Sequence, residues 1–161
     1  SPKTQESGVI DTVLLDIDGI LTDGAVYVDS SGKETKRILF DDIDAIFELK
    51  RAGVKIGFIT GEDNEFCSYV KRRFTPDFFA TGCKDKLNAC KELMEEAKLD
   101  LANICYAGDS KQDIQLLQHF KFSYAPSDAP LEVRNAAKQI LRATRGAGVI
   151  RELADELVTD Q

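Results

Sequence analysis

The apolar run Val13-Leu14-Leu15 stops at Asp16-Ile17-Asp18-Gly19, and Thr22-Asp23-Gly24 follows almost at once. No other stretch limits the fold as tightly. Consecutive apolar residues without polar alternation describe a strand covered on both faces, as in parallel sheets. Its end carries two carboxylates at i and i+2, positions that project to the same face of an extended chain. At the carboxyl edge of an open α/β sheet such side chains enter the crevice where ligands bind. Two like charges that close repel, so the arrangement calls for a cation, a shared proton, or both.

The remaining pattern supports that edge. A first strand is expected over Val9–Asp16. A hairpin follows, with arms Ala25–Val28 and Glu34–Phe40 around the turn Asp29-Ser30-Ser31-Gly32-Lys33. Helix and strand patterns then alternate: helix Asp41–Ala52, strand Val54–Ile59, helix Glu62–Phe74, strand Phe78–Ala80 and helix Asp85–Ala97. Strand Ile104–Ala107, helix Asp113–His119, strand Phe122–Tyr124, helix Leu131–Ala137, a short strand at Ile140-Leu141 and a last helix over Ile150–Leu157 complete the chain. Such alternation predicts an α/β fold, a mostly parallel Rossmann-like sheet flanked by helices. The hairpin is an insertion after the first strand, too small for a cap domain. With 161 residues, 43% of them apolar, the chain has material for one full core. The expected division is a single domain over 9–158, with polar tails at 1–8 and 159–161.

Charge and composition exclude several classes. A net charge of −7 argues against a nucleic-acid surface and against a polybasic membrane anchor. No apolar run approaches the ~20 residues of a membrane helix. Ser1–Ser7 lacks the apolar stretch of a signal peptide and reads as a tail or linker; a free-standing chain and an excised one both fit. Cys67, Cys83, Cys90 and Cys105 show no C-x-x-C spacing and His119 is the single histidine, which predicts reduced thiols in a cytoplasmic protein rather than a zinc site.

Four expected strand ends carry polar groups: Asp16 and Asp18; Thr60-Gly61-Glu62; Lys84-Asp85-Lys86; and Gly108-Asp109 with Asp113. If the strands are parallel, these converge on one edge. Carboxylates for a hard cation, a hydroxyl and an ammonium suit phosphoryl transfer. Mg²⁺ prefers carboxylate oxygens and substrate phosphate, an Asp can be the nucleophile, and Lys with backbone N–H groups can neutralise phosphoryl oxygens.

With these residues in view the chain resembles the haloacid dehalogenase superfamily. The D-x-D-G motif is Asp16–Gly19, the second-motif Thr is Thr60, the third-motif Lys is Lys86, and G-D-x-x-x-D is Gly108–Asp113. The resemblance implies Asp16 as nucleophile and Asp18 as general acid/base. It implies phosphate binding by Thr60, Gly61 and Lys86, and Mg²⁺ held by Asp16, the Asp18 carbonyl and Asp109, with Asp113 in support. D-G-x-L-T-D-G, the hairpin and the final Gly146-Ala147-Gly148-Val149-Ile150-Arg151-Glu152 are similar to capless phosphatases of 2-keto-3-deoxy sugar acid phosphates. That likeness implies a homotetramer joined through the hairpins, a sugar acid phosphate as substrate, and Glu62, Arg73 and Arg151 as candidate substrate contacts. Octulosonate 8-phosphate enzymes usually carry Thr-Gly-Arg in the second motif; Thr60-Gly61-Glu62 looks more like the nononate 9-phosphate branch. Two further departures are Ala147, where relatives commonly carry Arg, and Ser110, where they commonly carry Asp. A similar module closes some CMP-sialate synthetases, so a non-catalytic tetramerisation role is the alternative reading. A phospho-receiver domain is a weaker rival, because its paired acids and accepting Asp sit on different strands.

Overall fold

The computed structural model describes residues 10–158; the expected tails and the first residue of the expected first strand lie outside that range. Six parallel strands form the central sheet: β1 (Thr12–Leu15), β4 (Lys55–Ile59), β5 (Phe78–Ala80), β6 (Ile104–Ala107), β7 (Phe122–Ala125) and β8 (Gln139–Ile140). Their order is β5-β4-β1-β6-β7-β8, so β1 lies between β4 and β6, with Leu14 opposite Gly57 and Tyr106. β2 (Tyr27–Val28) and β3 (Glu34–Thr35) pair antiparallel as a separate hairpin.

β1 is buried along its whole length because helices cover both faces of the sheet. Val13 and Leu15 point into a core shared with α1 (Phe40–Arg51), α2 (Glu65–Phe74) and α6 (Val149–Val158). Leu14 points the other way, into a core built with α3 (Lys86–Glu96), α4 (Ile114–His119) and α5 (Leu131–Ala136). Fully burying each of these side chains is worth about 1.5–3 kcal/mol. The strand that ends in Asp16 is thus anchored in both cores.

The element order matches the expectation from sequence, with local differences. The second hairpin arm is shorter than Glu34–Phe40: pairing ends at Thr35, Ile38 makes an isolated bridge to Thr22, and Phe40 already begins α1. The helix expected from Glu62 starts at Glu65, because the Asn64 side chain accepts from the Cys67 N–H and sets the cap there. Glu62 and Asp63 therefore stay in the loop. All four cysteines are free thiols, three of them buried. No helix among the described residues is long and apolar enough to cross a membrane.

Candidate active site

β1 delivers Asp16 to the carboxyl edge of the sheet. Its backbone N–H donates to the Ala107 carbonyl (3.1 Å) and its Oδ1 accepts from the Ile17 N–H (2.8 Å), so the carboxylate is held as the chain turns out of the strand. That turn, Ile17–Leu21, passes through Gly19 at φ +90°, a conformation that favours glycine. A Cβ on Gly19 would lie 1.8 Å from the Asp109 carboxylate, so glycine here is what lets Asp109 reach in from β6.

Lys86, at the first position of α3, is buried. Its Nζ lies 3.1 Å from Asp16 Oδ1 and 2.9 Å from Asp113 Oδ1. Asp113 is saturated: Lys86 Nζ and the Tyr106 hydroxyl (2.6 Å) donate to Oδ1, and the Asp109 and Ser110 N–H groups with the Ser110 hydroxyl donate to Oδ2. Ser110 therefore has a job of its own, completing the shell around Asp113. The saturation leaves Asp113 as a brace and Asp16 and Asp109 as the carboxylates with capacity to spare.

The electrostatics follow from that crowding. Burial, then the neighbouring Asp113 charge, pushes Asp16 well above the usual carboxylate range. Burial likewise raises Asp109 to about 6. Asp113 stays low, because Lys86 and the Tyr106 hydroxyl outweigh its burial. Burial works against the Lys86 charge, but Asp16 and Asp113 more than offset it and raise its pKa.

Asp109 Oδ1 is buried without a hydrogen-bond partner, and one carboxylate oxygen each of Asp16, Asp109 and Asp113 lies within 4.8 Å of the others. A buried unpaired acceptor inside an acid cluster is the donor set a hard divalent cation accepts.

Thr60 ends β4. Its hydroxyl accepts from the Glu62 N–H (3.1 Å), leaving its own proton free to donate. Asp18 sits one step outward from Asp16 and is half-buried. Its carboxylate accepts from the Thr22 hydroxyl (3.1 Å) and from Lys36 Nζ (2.8 and 3.0 Å), and Lys36 also lies over the Phe66 ring, 5.1 Å from its centroid. Lys36 comes from the hairpin insertion and is not among the residues that the sequence singles out.

These residues open on a cleft of about 440 Å³ that brings together Asp16, Asp18, Thr60, Gly61, Glu62, Lys86 and Asp109. Gly24, Cys83, Gln112 and Arg145 also line it; none of the four was expected. Lys84 lines the cleft too but is exposed, so the ammonium against Asp16 is that of Lys86. Two expected substrate contacts, Arg151 and Arg73, lie outside the cleft of this chain. Arg151 is outside the cleft lining, because its guanidinium pairs with Glu48 and with Asp155 (3.1 Å) where α6 packs on α1. Arg73 is exposed on the last turn of α2, also outside the lining.

Residues 77–153 match the haloacid dehalogenase-like hydrolase family. The chain is 31% identical over 153 residues to the 3-deoxy-D-manno-octulosonate 8-phosphate phosphatase KdsC of Haemophilus influenzae, covering 92% of this chain and 83% of that one. It is 30% identical over 156 residues to N-acylneuraminate cytidylyltransferase A of Danio rerio, of which it spans 35%. Among solved structures, the Moraxella catarrhalis 3-deoxy-D-manno-octulosonate 8-phosphate phosphatase, in complex with magnesium, phosphate and KDO, superposes with a TM-score of 0.92 at 26% identity, covering 99% of this chain and 92% of that one. A likeness over nearly the whole chain, with no cap domain among the described residues, leads to one conclusion: the chain belongs to the haloacid dehalogenase-like hydrolases and is a phosphatase.

Proposed function

We propose that the protein hydrolyses the phosphate monoester of a 2-keto-3-deoxy sugar acid, with Mg²⁺ held by Asp16, Asp109 and the Asp18 backbone carbonyl. The observation that carries this reading is the buried set of Asp16, Lys86, Thr60 and unpaired Asp109 Oδ1 at one sheet edge.

In this mechanism a carboxylate oxygen of Asp16 attacks phosphorus and the ester P–O bond breaks. The leaving sugar oxygen takes a proton from Asp18. The resulting aspartyl-phosphate is hydrolysed when Asp18 takes a proton from water, whose oxygen attacks phosphorus and frees Asp16 and phosphate. Thr60 donates its hydroxyl proton to a phosphoryl oxygen, Gly61 contributes its backbone N–H, and Lys86 offsets charge on Asp16 as it reacts. Asp113 holds Lys86 and the Asp109 loop in place. Bound Mg²⁺ supplies positive charge that keeps the two buried carboxyls ionised and screens the phosphoryl oxygens.

The test is turnover of a panel of sugar phosphates with Mg²⁺ and with EDTA. Asp16→Asn should lower turnover by ~10³-fold or more while circular dichroism stays unchanged. Near-parental activity in that variant would reject the nucleophile, and activity indifferent to EDTA would reject the metal. Retention of the whole acid set weighs against the non-catalytic module.

Within the substrate class, exposed Glu62 on the cleft rim favours a nine-carbon acid 9-phosphate, since a carboxylate there accepts from sugar hydroxyls. The eight-carbon 8-phosphate is the second reading, favoured by the relatives that act on octulosonate 8-phosphate. Comparing kcat/KM for the two esters decides between them. We also propose a homotetramer through the hairpin, where Val26, Tyr27, Val28 and Phe40 stand 45%, 55%, 57% and 72% exposed. A monomer by light scattering at micromolar concentration would refute it. The free thiols support a reducing, cytoplasmic setting.

A further inference from the structure

The cleft is acidic at its floor, yet the proposed substrate is itself an acid. Something must receive the substrate's own carboxylate, and the cations near the floor are engaged. Lys86 is shared between Asp16 and Asp113, and Lys36 is taken by Asp18.

Arg145 differs from both. It follows β8, in the loop that leads to α6, and its side chain is 36% exposed, placing it on the rim rather than the floor. Asp128 holds it at two points: Oδ1 accepts from the Arg145 backbone N–H (2.9 Å) and Oδ2 from Nε (3.4 Å). Its Nη1 faces Asp109 Oδ2 at 3.8 Å, beyond hydrogen-bond distance. The guanidinium is therefore fixed at its base and only loosely engaged on the side that lines the cleft.

The loop that carries it is braced as well. Gly146 has φ +66°, and a Cβ there would come within 2.3 Å of the Asp23 nitrogen and 2.5 Å of the Thr22 carbonyl carbon. The loop thus lies directly on the backbone that follows the paired aspartates. The Gly146 carbonyl accepts from Arg37 (3.5 Å) and the Gly148 N–H donates to Asp42 (3.2 Å). Ala147, next in the same loop, offers no polar side chain.

Across the cleft stands Glu62, which follows β4. In the strand order β4 lies on one side of β1 and β8 on the other. The rim carries Glu62 and the exposed Lys84, which follows β5, on the β4 side, and a guanidinium on the β8 side. A sugar acid carries hydroxyls along one part and a carboxylate at one end; Glu62 suits the hydroxyls, and the guanidinium, with a planar fork that the Lys84 ammonium lacks, suits the carboxylate.

We infer that Arg145 is a specificity-determining residue whose guanidinium receives the carboxylate of the sugar acid, while Glu62 on the opposite wall receives hydroxyls. This rests on the reading above that the substrate is a sugar acid phosphate. Arg suits the task because its planar fork matches a carboxylate bidentately and, already positioned, loses little freedom on binding.

The experiment compares Arg145→Ala and Arg145→Lys with the parent on two esters: a 2-keto-3-deoxy sugar acid phosphate and glucose 6-phosphate, which lacks a carboxylate. The ratio of kcat/KM for the acid ester to that for the neutral ester should fall at least tenfold in Arg145→Ala, mainly through KM, and Arg145→Lys should recover part of it. Equal losses on both esters would overturn the inference and assign Arg145 to the phosphoryl group or to Asp109. An unchanged ratio with no loss on either ester would overturn it too. A parent protein that hydrolyses neither ester would bring down the underlying phosphatase reading instead, and this inference with it.

Discussion

Two lysines hold the two aspartates of the Asp16-Ile17-Asp18 step, and they come from contrasting parts of the molecule. Lys86 opens a helix rooted in the α/β core, with its side chain 3% exposed between Asp16 and Asp113. Lys36 belongs to a two-stranded insertion with exposed strands, yet its side chain is only 8% exposed because Asp18 and the Phe66 ring close over it. The floor is thus built from strand ends that cannot shift without disturbing the sheet. The outer carboxylate, by contrast, depends on a hairpin that the sheet does not hold. Chemistry that needs a fixed nucleophile and an adjustable acid/base would be divided this way.

Removing Lys86 should give the largest effect and would break the comparison if it did not. Lys86→Met leaves Asp16 and Asp113 buried without their cation, which costs about 3–5 kcal/mol of stability. Urea unfolding measures it, and a cost under about 1 kcal/mol would mean that the floor is no more rigid than the hairpin.

The second test uses pH, with the metal stripped by EDTA. Asp109 has a folded pKa of about 6, above the ordinary value near 4, and Asp16 moves the same way. Between those two values the folded state binds more protons than the unfolded one, so stability falls as pH rises. The metal-free protein should therefore lose on the order of 1–3 kcal/mol from about pH 4 to pH 6. Asp113 is shifted the other way, and its contribution is lost only as pH falls below the unfolded carboxylate range. Thermal melts across that window should show the slope, and Asp109→Asn or added Mg²⁺ should flatten it. A slope that survives both Asp109→Asn and Asp16→Asn would place its origin outside the floor.

On the rim, Glu62→Ala should lower kcat/KM for the sugar acid phosphate by roughly 1–3 kcal/mol if a buried hydrogen bond to substrate is lost. Parental kcat/KM would make Glu62 an ordinary loop acid. The smallest stability effect belongs to the hairpin. Lys36→Ala should change stability by about 1 kcal/mol or less, since the pair is only partly buried, yet lower kcat about tenfold by freeing Asp18. Equal changes in stability and rate would erase the distinction between floor and hairpin.

The amino-acid sequence alone carries much of this fold and site, and the reason is local. An apolar strand ended by acids, a Thr-Gly turn and a Gly-Asp turn are each written in consecutive residues, and parallel topology then brings them together. The parts that sequence does not carry are contacts over long separations. Lys36 meets Asp18 only because the insertion folds back, and Arg145 reaches the cleft only because β8 completes the sheet. Arg151 reads as a substrate ligand from its place beside the glycines, but α1 presents Glu48 to it. The late start of α2 is legible in principle, since Asn64 is a good cap, but the acidic Glu62-Asp63 pair also reads as a first turn.

Asp42 ties the order of synthesis to the order of assembly. Fully buried on the first turn of α1, it accepts from the backbone N–H groups of Gly148 (3.2 Å) and Arg151 (3.0 Å), more than a hundred residues along the chain. Burial pushes its carboxyl above the ordinary range, opposed by those backbone donors. Until the segment around Gly148 arrives, Asp42 has neither donor, and the face of α1 that receives α6 stays uncovered. During synthesis Asp16 therefore emerges well before the wall bearing Arg145, and a partly made chain holds its aspartates without a finished cleft around them.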